Sequence, residues 1–193
     1  MDPGTEPLTE SSGSPLSRLP RGWLISAAIV PLALATILGV VLAVRVGVIH
    51  AGIEVGDPAP PIVLADLSGQ PLRLSDHAGQ PVIVYFWASW CPSCIDEFPL
   101  LEVALTAHAA DGLTVLGVIY RDRSEPAAAF MSSLGATWSS AMDPDEAVAG
   151  AYGIYGAPEA FFIDGGGVVR ARQIGPFTEA DLQEHLATIL PGD

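Results

Sequence analysis

From residue 22 to 44 the chain reads GWLISAAIVPLALATILGVVLAV, 23 residues without a charge. About 20 apolar residues suffice to carry a helix across the hydrocarbon core of a bilayer, and Pro31 is tolerable because membrane helices accept proline kinks. A retained anchor over 22–45 is expected rather than a cleaved signal peptide, whose apolar region runs only about 7–15 residues. Residues 1–21 are rich in Pro, Ser, Gly and Thr and lack apolar periodicity, which predicts a disordered tail. Residues 46–61 end in GDPAPP, too proline-rich for a helix, and read as a linker.

From residue 62 to 193 the pattern alternates, as in an α/β domain. PIVLADLSGQPLRLSD holds two short extended runs around Ser68-Gly69-Gln70, a hairpin. PVIVYFWA is apolar nearly throughout and flanked by turn residues, which predicts a central strand buried on both faces. A helix over 92–109, the strand LTVLGVIY, a helix over 125–134, a short strand over 138–142 and a short helix over 145–152 should follow. AFFID and VVRARQI, joined by the DGGG turn, predict an antiparallel pair, and a helix over 179–190 closes the chain. DGGG precedes a strand rather than a helix, so it reads as a turn and not as a phosphate loop. No internal repeat is present.

Charge narrows the partners. Acidic residues number 22 against 8 basic, all of them arginine, for a formal net charge of -14. Nucleic acid is therefore not expected, because binding a phosphate backbone needs the opposite sign. Half the residues are apolar, enough to build a core and to exclude disorder of the whole chain. Arg18 and Arg21 precede the apolar run, whereas Arg45 follows it and the next charges are Glu54 and Asp57. The positive-inside rule then predicts a single-pass protein of the cytoplasmic membrane, with a cytoplasmic N-terminus and the domain on the extracytoplasmic side. That compartment permits disulfides.

The only two cysteines, Cys91 and Cys94, stand in FWASWCPSC at the end of the predicted central strand. A disulfide over so short a loop constrains the unfolded chain very little. Shared metal is a poor alternative: a structural zinc site wants four ligands, and His50, His77, His108 and His185 form no close pair. Covalent haem by Cys-x-x-Cys-His is excluded by Ile95. No cofactor or metal is expected. A redox dithiol remains, and a place at a helix N-terminus suits it. Free N–H groups and the positive dipole end favour thiolate at Cys91, the attacking residue, while Cys94 lies further inside and resolves the mixed disulfide. Pro92 fits a first helical turn, where its missing N–H is not needed.

FWASWCPSC resembles the active-site segment of thioredoxin-fold proteins, and Pro99 matches the proline that kinks their active-site helix. CIDEFPLLE, VIYRDRSEPAAAFMSSLG and YGIYGAPEAFFIDGGGVVRAR narrow the resemblance to the DsbE/CcmG group of thiol:disulfide interchange proteins, close to the TlpA/ResA-like reductases, over roughly residues 54–190. The resemblance implies a thioredoxin-like fold, a central mixed sheet flanked by helices with an N-terminal β-hairpin extension, preceded by one transmembrane helix. It implies a thiol:disulfide oxidoreductase that reduces apocytochrome c or another disulfide-bearing client before haem attachment and is itself re-reduced by a membrane donor of the CcdA/DsbD type. It also implies a cis-proline at Pro158 and a client site formed by Trp90, Pro92, Ala157, Pro158 and Glu159.

Two departures stand out. Threonine usually follows GAPE, where this chain has Ala160, and thioredoxins carry a buried aspartate six residues before the first cysteine, where Tyr85 stands. Another carboxyl must then serve Cys94, and Glu97 and Glu159 are the candidates. Trp87 reads as core, and Tyr152 and Tyr155 as a wall near Pro158. A general disulfide oxidant and a copper-delivering module are the alternative functions. Peroxidase chemistry of the peroxiredoxin type is disfavoured by Ala88, where a threonine is needed.

Overall fold

The computed structural model describes residues 21–45 and 52–191, with side chains of the first helix described over 29–42. The expected tail lies outside the described residues but for Arg21. The chain divides between Ile49 and His50 into two units. In the first, α1 (Arg21–Arg45) is a 25-residue helix with Pro31 inside it. Among the described residues no helix is long and apolar enough to cross a membrane.

The second unit holds β1 (Val63–Ala65), β2 (Pro71–Arg73), β3 (Val82–Trp87), α2 (Cys94–Ala107), β4 (Thr114–Ile119), α3 (Ser124–Leu134), β5 (Ser140–Met142), α4 (Ala147–Tyr152), β6 (Glu159–Ile163), β7 (Val169–Ile174) and α5 (Glu179–Leu186). The main sheet has the order β5-β4-β3-β6-β7. β3 runs parallel to β4, and β4 to β5, while β3–β6 and β6–β7 are antiparallel. This is the mixed sheet expected of a thioredoxin-like fold. β1 and β2 form the expected hairpin, and Leu67 N donates to Ser140 O at 3.0 Å, fastening it beside β5.

All six residues of β3 are buried, because the strand is central and covered on both faces. Ile83, Tyr85 and Trp87 face one cluster with Phe98 and Leu101 of α2, Ala127 of α3 and Leu182 and Leu186 of α5. Val82, Val84 and Phe86 face the other with Val148 and Tyr152 of α4, Phe161 and Ile163. Strand alternation alone produces this division. Burying an aromatic or aliphatic side chain of this size contributes about 1.5–3 kcal/mol, so Phe98 and Leu101 account for much of the hold on α2. Gly117 in β4 is needed for space: a Cβ there would lie 1.9 Å from Ser140 Oγ and 2.9 Å from Trp87 Nε1. Its absence lets Trp87 Nε1 donate to Ser140 Oγ at 3.2 Å, and Trp87 is core as expected.

Several boundaries differ from the sequence reading: β5 begins at Ser140 rather than at residue 138, and α4 at Ala147 rather than at residue 145. α2 begins at Cys94 rather than at residue 92, so Cys91 to Ser93 form a turn ahead of it: Cys91 N donates to Ala88 O at 3.1 Å and Ile95 N to Pro92 O at 3.3 Å. α5 ends at Leu186 and continues to Leu190 only as turns. The described part of the expected linker is bound to the domain. Gly56 N donates to Val169 O at 2.8 Å, Val169 N to Asp57 O at 3.0 Å, and Ala59 N to Gly167 O at 2.9 Å. Prolines exclude a helix there but leave carbonyls and intervening N–H groups free to pair with the open edge of β7.

Candidate active site

Cys91 and Cys94 are joined by a disulfide immediately beyond β3. Cys94 is fully buried as the first residue of α2, whereas Cys91 is 2 % exposed. Ser93 precedes the helix without a side-chain cap, and its Oγ lies 3.6 Å from Cys91 Sγ. Cys94 thus opens α2 itself, while Cys91 and Pro92 belong to the preceding turn rather than to the first helical turn.

Glu97 is the buried carboxyl of this face, 1 % exposed on the first turn of α2, three residues beyond Cys94. Residues at that spacing are neighbours on a helix. Tyr85 Oη donates to Glu97 Oε2 at 2.6 Å and Phe177 N donates to Oε1 at 2.9 Å. No described cation pairs with it. Burial raises the carboxyl, the two hydrogen bonds partly oppose it and Asp96 adds repulsion, and the balance leaves Glu97 at about 7. Burial, with Glu97 beside it, drives the Tyr85 hydroxyl well above its usual range, so it stays a donor. The residue standing in place of the thioredoxin aspartate therefore bonds the glutamate. Phe177 N is aimed by a local device: Thr178 caps α5, with Asp181 N donating to Thr178 Oγ1 at 3.3 Å and Thr178 N donating to Asp181 Oδ2 at 2.8 Å.

Glu159, the other candidate, is also 1 % exposed but is not brought to the dithiol. In β6 it pairs with Phe86, so it shares the face of Phe86 and Phe161 rather than that of Tyr85. There Arg172 Nε donates to Oε1 at 2.7 Å and Tyr155 N to Oε2 at 3.0 Å, while Arg172 Nη2 donates to Gly153 O at 2.8 Å. Glu159 and Arg172 together pin the segment leading to Pro158. The Ala157–Pro158 bond is cis, as the resemblance implied, and Ala160 is buried opposite Tyr85.

Trp90 is 51 % exposed beside the dithiol, its Nε1 donating to Arg121 O at 3.0 Å. Tyr155 is 76 % exposed, with the Arg172 guanidinium 5.4 Å from its ring centre. Tyr152 does not join it in a wall: it is fully buried in the opposite cluster, its hydroxyl donating to Pro60 O at 2.9 Å. Among the described residues no cluster of His, Cys, Asp or Glu could hold a metal. Sequence reasoning missed Ser93, Phe177 and Arg172. The contact of Arg172 with Glu159 depends on the β6–β7 register, which no pattern within either strand fixes.

Residues 55–172 match the model of the AhpC/TSA family. A thiol-disulfide oxidoreductase ResA of Geobacillus thermodenitrificans is 30 % identical over 168 residues, covering 87 % of this chain and 97 % of the relative. A thiol:disulfide interchange protein DsbE of Yersinia pestis is 36 % identical over 137 residues, covering 68 % and 70 %. The crystal structure of a thiol:disulfide interchange protein of the thioredoxin family from Chlorobium tepidum superposes with a TM-score of 0.64 at 26 % identity, covering 72 % of this chain and all of that one. With a disulfide joining its two cysteines at the head of α2, the chain belongs to the AhpC/TSA family and is a thiol-disulfide oxidoreductase of the DsbE/ResA type.

Proposed function

We propose that the protein is a reductase anchored in the cytoplasmic membrane, its domain on the extracytoplasmic side, acting on apocytochrome c or a similar client. The observation that carries the exchange mechanism is Glu97, a buried carboxyl with no described cation beside it, next to the resolving cysteine. Reduced Cys91 attacks one sulfur of the client disulfide as thiolate, and the other client sulfur leaves and takes up a proton. Cys94 then loses its proton to the Glu97 carboxylate and attacks Cys91 Sγ, which expels the second client thiolate and closes the Cys91–Cys94 disulfide. Two electrons pass to the client, which leaves as a dithiol. A carboxyl near 7 accepts and returns a proton at neutral pH.

The anchor reading is supported by the uncharged run at 22–44 and by the arginines flanking it. The client and a membrane donor of the CcdA/DsbD type follow from the resemblance to the DsbE group. Pro92, Ala157 and Pro158 serve as the client surface around Cys91, with Trp90 beside them. Glu159 acts there by holding the Tyr155 backbone rather than by moving a proton.

The direction of electron flow is tested by equilibrium titration of the Cys91/Cys94 couple in the detergent-solubilised full chain, with Cys91→Ser as blank. A potential near that of thioredoxin, about -270 mV, supports a reductase. A value near that of DsbA, about -120 mV, makes the protein a disulfide donor and overturns the proposal.

A further inference from the structure

Among the described residues, two other than glycine hold a left-handed backbone, Arg121 at φ 48° and Glu146 at φ 53°. They lie 25 positions apart in the chain and are bonded to each other. Arg121 Nε donates to Glu146 Oε1 at 2.9 Å and Arg121 Nη2 donates to Oε2 at 2.7 Å, a two-pronged pair of fixed geometry. A left-handed backbone crowds Cβ against the neighbouring carbonyl, so side-chain-bearing residues adopt it only where the surroundings impose it. Arg121 is exposed and Glu146 half-buried, and an ion pair open to solvent returns little stability of its own. Stability does not explain the arrangement, but its position does.

Arg121 follows the end of β4, and its carbonyl accepts the Trp90 indole N–H at 3.0 Å. The next residue, Asp122, accepts Ser89 N at Oδ2, 2.6 Å away. The β4–α3 connection is thus tied at two points to the residues immediately before Cys91. The left-handed turn at Arg121 directs its carbonyl toward Trp90 and its side chain toward Glu146, ahead of α4. An aromatic ring already held in one orientation loses little freedom when a peptide packs on it.

We propose that the Arg121–Glu146 pair is a brace that sets Trp90 as one wall of the client site, making both residues positioning residues for client selection. This rests on the reading of Trp90 as a client contact. A small disulfide reaches Cys91 without using the wall, whereas a peptide disulfide lies against it.

The test is single-turnover oxidation of the pre-reduced, detergent-solubilised full chain. The two probes are a synthetic peptide disulfide closed across Cys-x-x-Cys-His and bis(2-hydroxyethyl) disulfide. Glu146→Gly and Arg121→Gly suit the left-handed backbone and retain the Trp90 acceptor while removing the pair. Each should raise the peptide's half-saturation concentration about two- to five-fold, the range of an exposed ion pair. The limiting rate and the rate with the small disulfide should stay at the wild-type level. Salt at 0.5 M should do the same to the wild type by screening the pair. In a Trp90→Ala background Glu146→Gly should add nothing. An unchanged half-saturation in both glycine variants, or additivity with Trp90→Ala, overturns the brace while leaving Trp90 as a contact. If Trp90→Ala itself binds the peptide like the wild type, the reading of Trp90 and the brace both fall.

Discussion

Glu97 and Glu159 are equally buried, on opposite faces of one sheet, and they differ in what faces them. Glu159 meets a guanidinium and a backbone N–H, so its charge is matched, and Arg172 spans the distance to Gly153 O. Glu97 meets a hydroxyl and a backbone N–H but no described cation, and its carboxyl rises to about 7. Burial is common to both. At Glu97, where no described cation offsets it, burial holds the carboxyl up, because two neutral donors compensate only part of the lost hydration. One glutamate is a fastening and the other a group poised between two states.

The largest effect should come from breaking the matched pair. Arg172→Ala leaves Glu159 buried without its cation and frees the approach to Pro158, which should lower stability by about 3 kcal/mol, read as a shift of the urea midpoint. Should the midpoint stay put, Glu159 is less enclosed than its 1 % exposure implies.

Glu97→Gln preserves shape and removes the titration. Release of the mixed disulfide at pH 7 should slow about 100-fold, and the inflection of its pH profile near 7 should vanish, as measured by stopped-flow with a pre-reduced sample. The same substitution has a stability signature with a definite sign. The folded-state value is raised from 4.5 to about 7, so the folded chain holds the proton more tightly than the unfolded one. Stability linked to Glu97 is fully present below pH 4.5 and is lost as the pH rises through about 7. In Glu97→Gln the thermal midpoint should lose that downward slope; a slope identical to the wild type would assign it elsewhere.

Tyr85→Phe is the gentlest break. It keeps the ring that packs edge-on against Phe98 and Phe177 and deletes only the hydroxyl that donates to Glu97. Losing that donor removes an influence that lowers the Glu97 carboxyl, so the inflection should move to higher pH, with a stability loss of about 1–2 kcal/mol. An inflection that stays near 7 would leave Phe177 N as the one hydrogen bond that lowers the Glu97 carboxyl.

Much of this molecule was legible in the chain. Period-two and unbroken apolar runs placed β3, β4 and the β6–β7 hairpin, because side-chain alternation and burial are local consequences of strand geometry. The dithiol was legible because cysteine spacing restricts chemistry. Boundaries were less so: Pro92 suits a helix start, yet Cys91 N bonds Ala88 O and the turn delays α2 to Cys94. The segment before residue 62 read as a linker because prolines exclude a helix, and nothing local shows that the edge of β7 needs partners.

The sequence alone determined the α/β class and the cysteine pair, since both depend on residue type and short spacing, and the resemblance to the DsbE group made Glu97 a candidate. Only the tertiary structure set the surroundings of the two glutamates apart. A strand register put Glu159 on Arg172's side of the sheet. The capped entry to α5, 80 residues from Glu97, brought Phe177 N to the opposite side. Charge balance in a buried site depends on what arrives from distant parts of the chain, and no local pattern encodes that arrival.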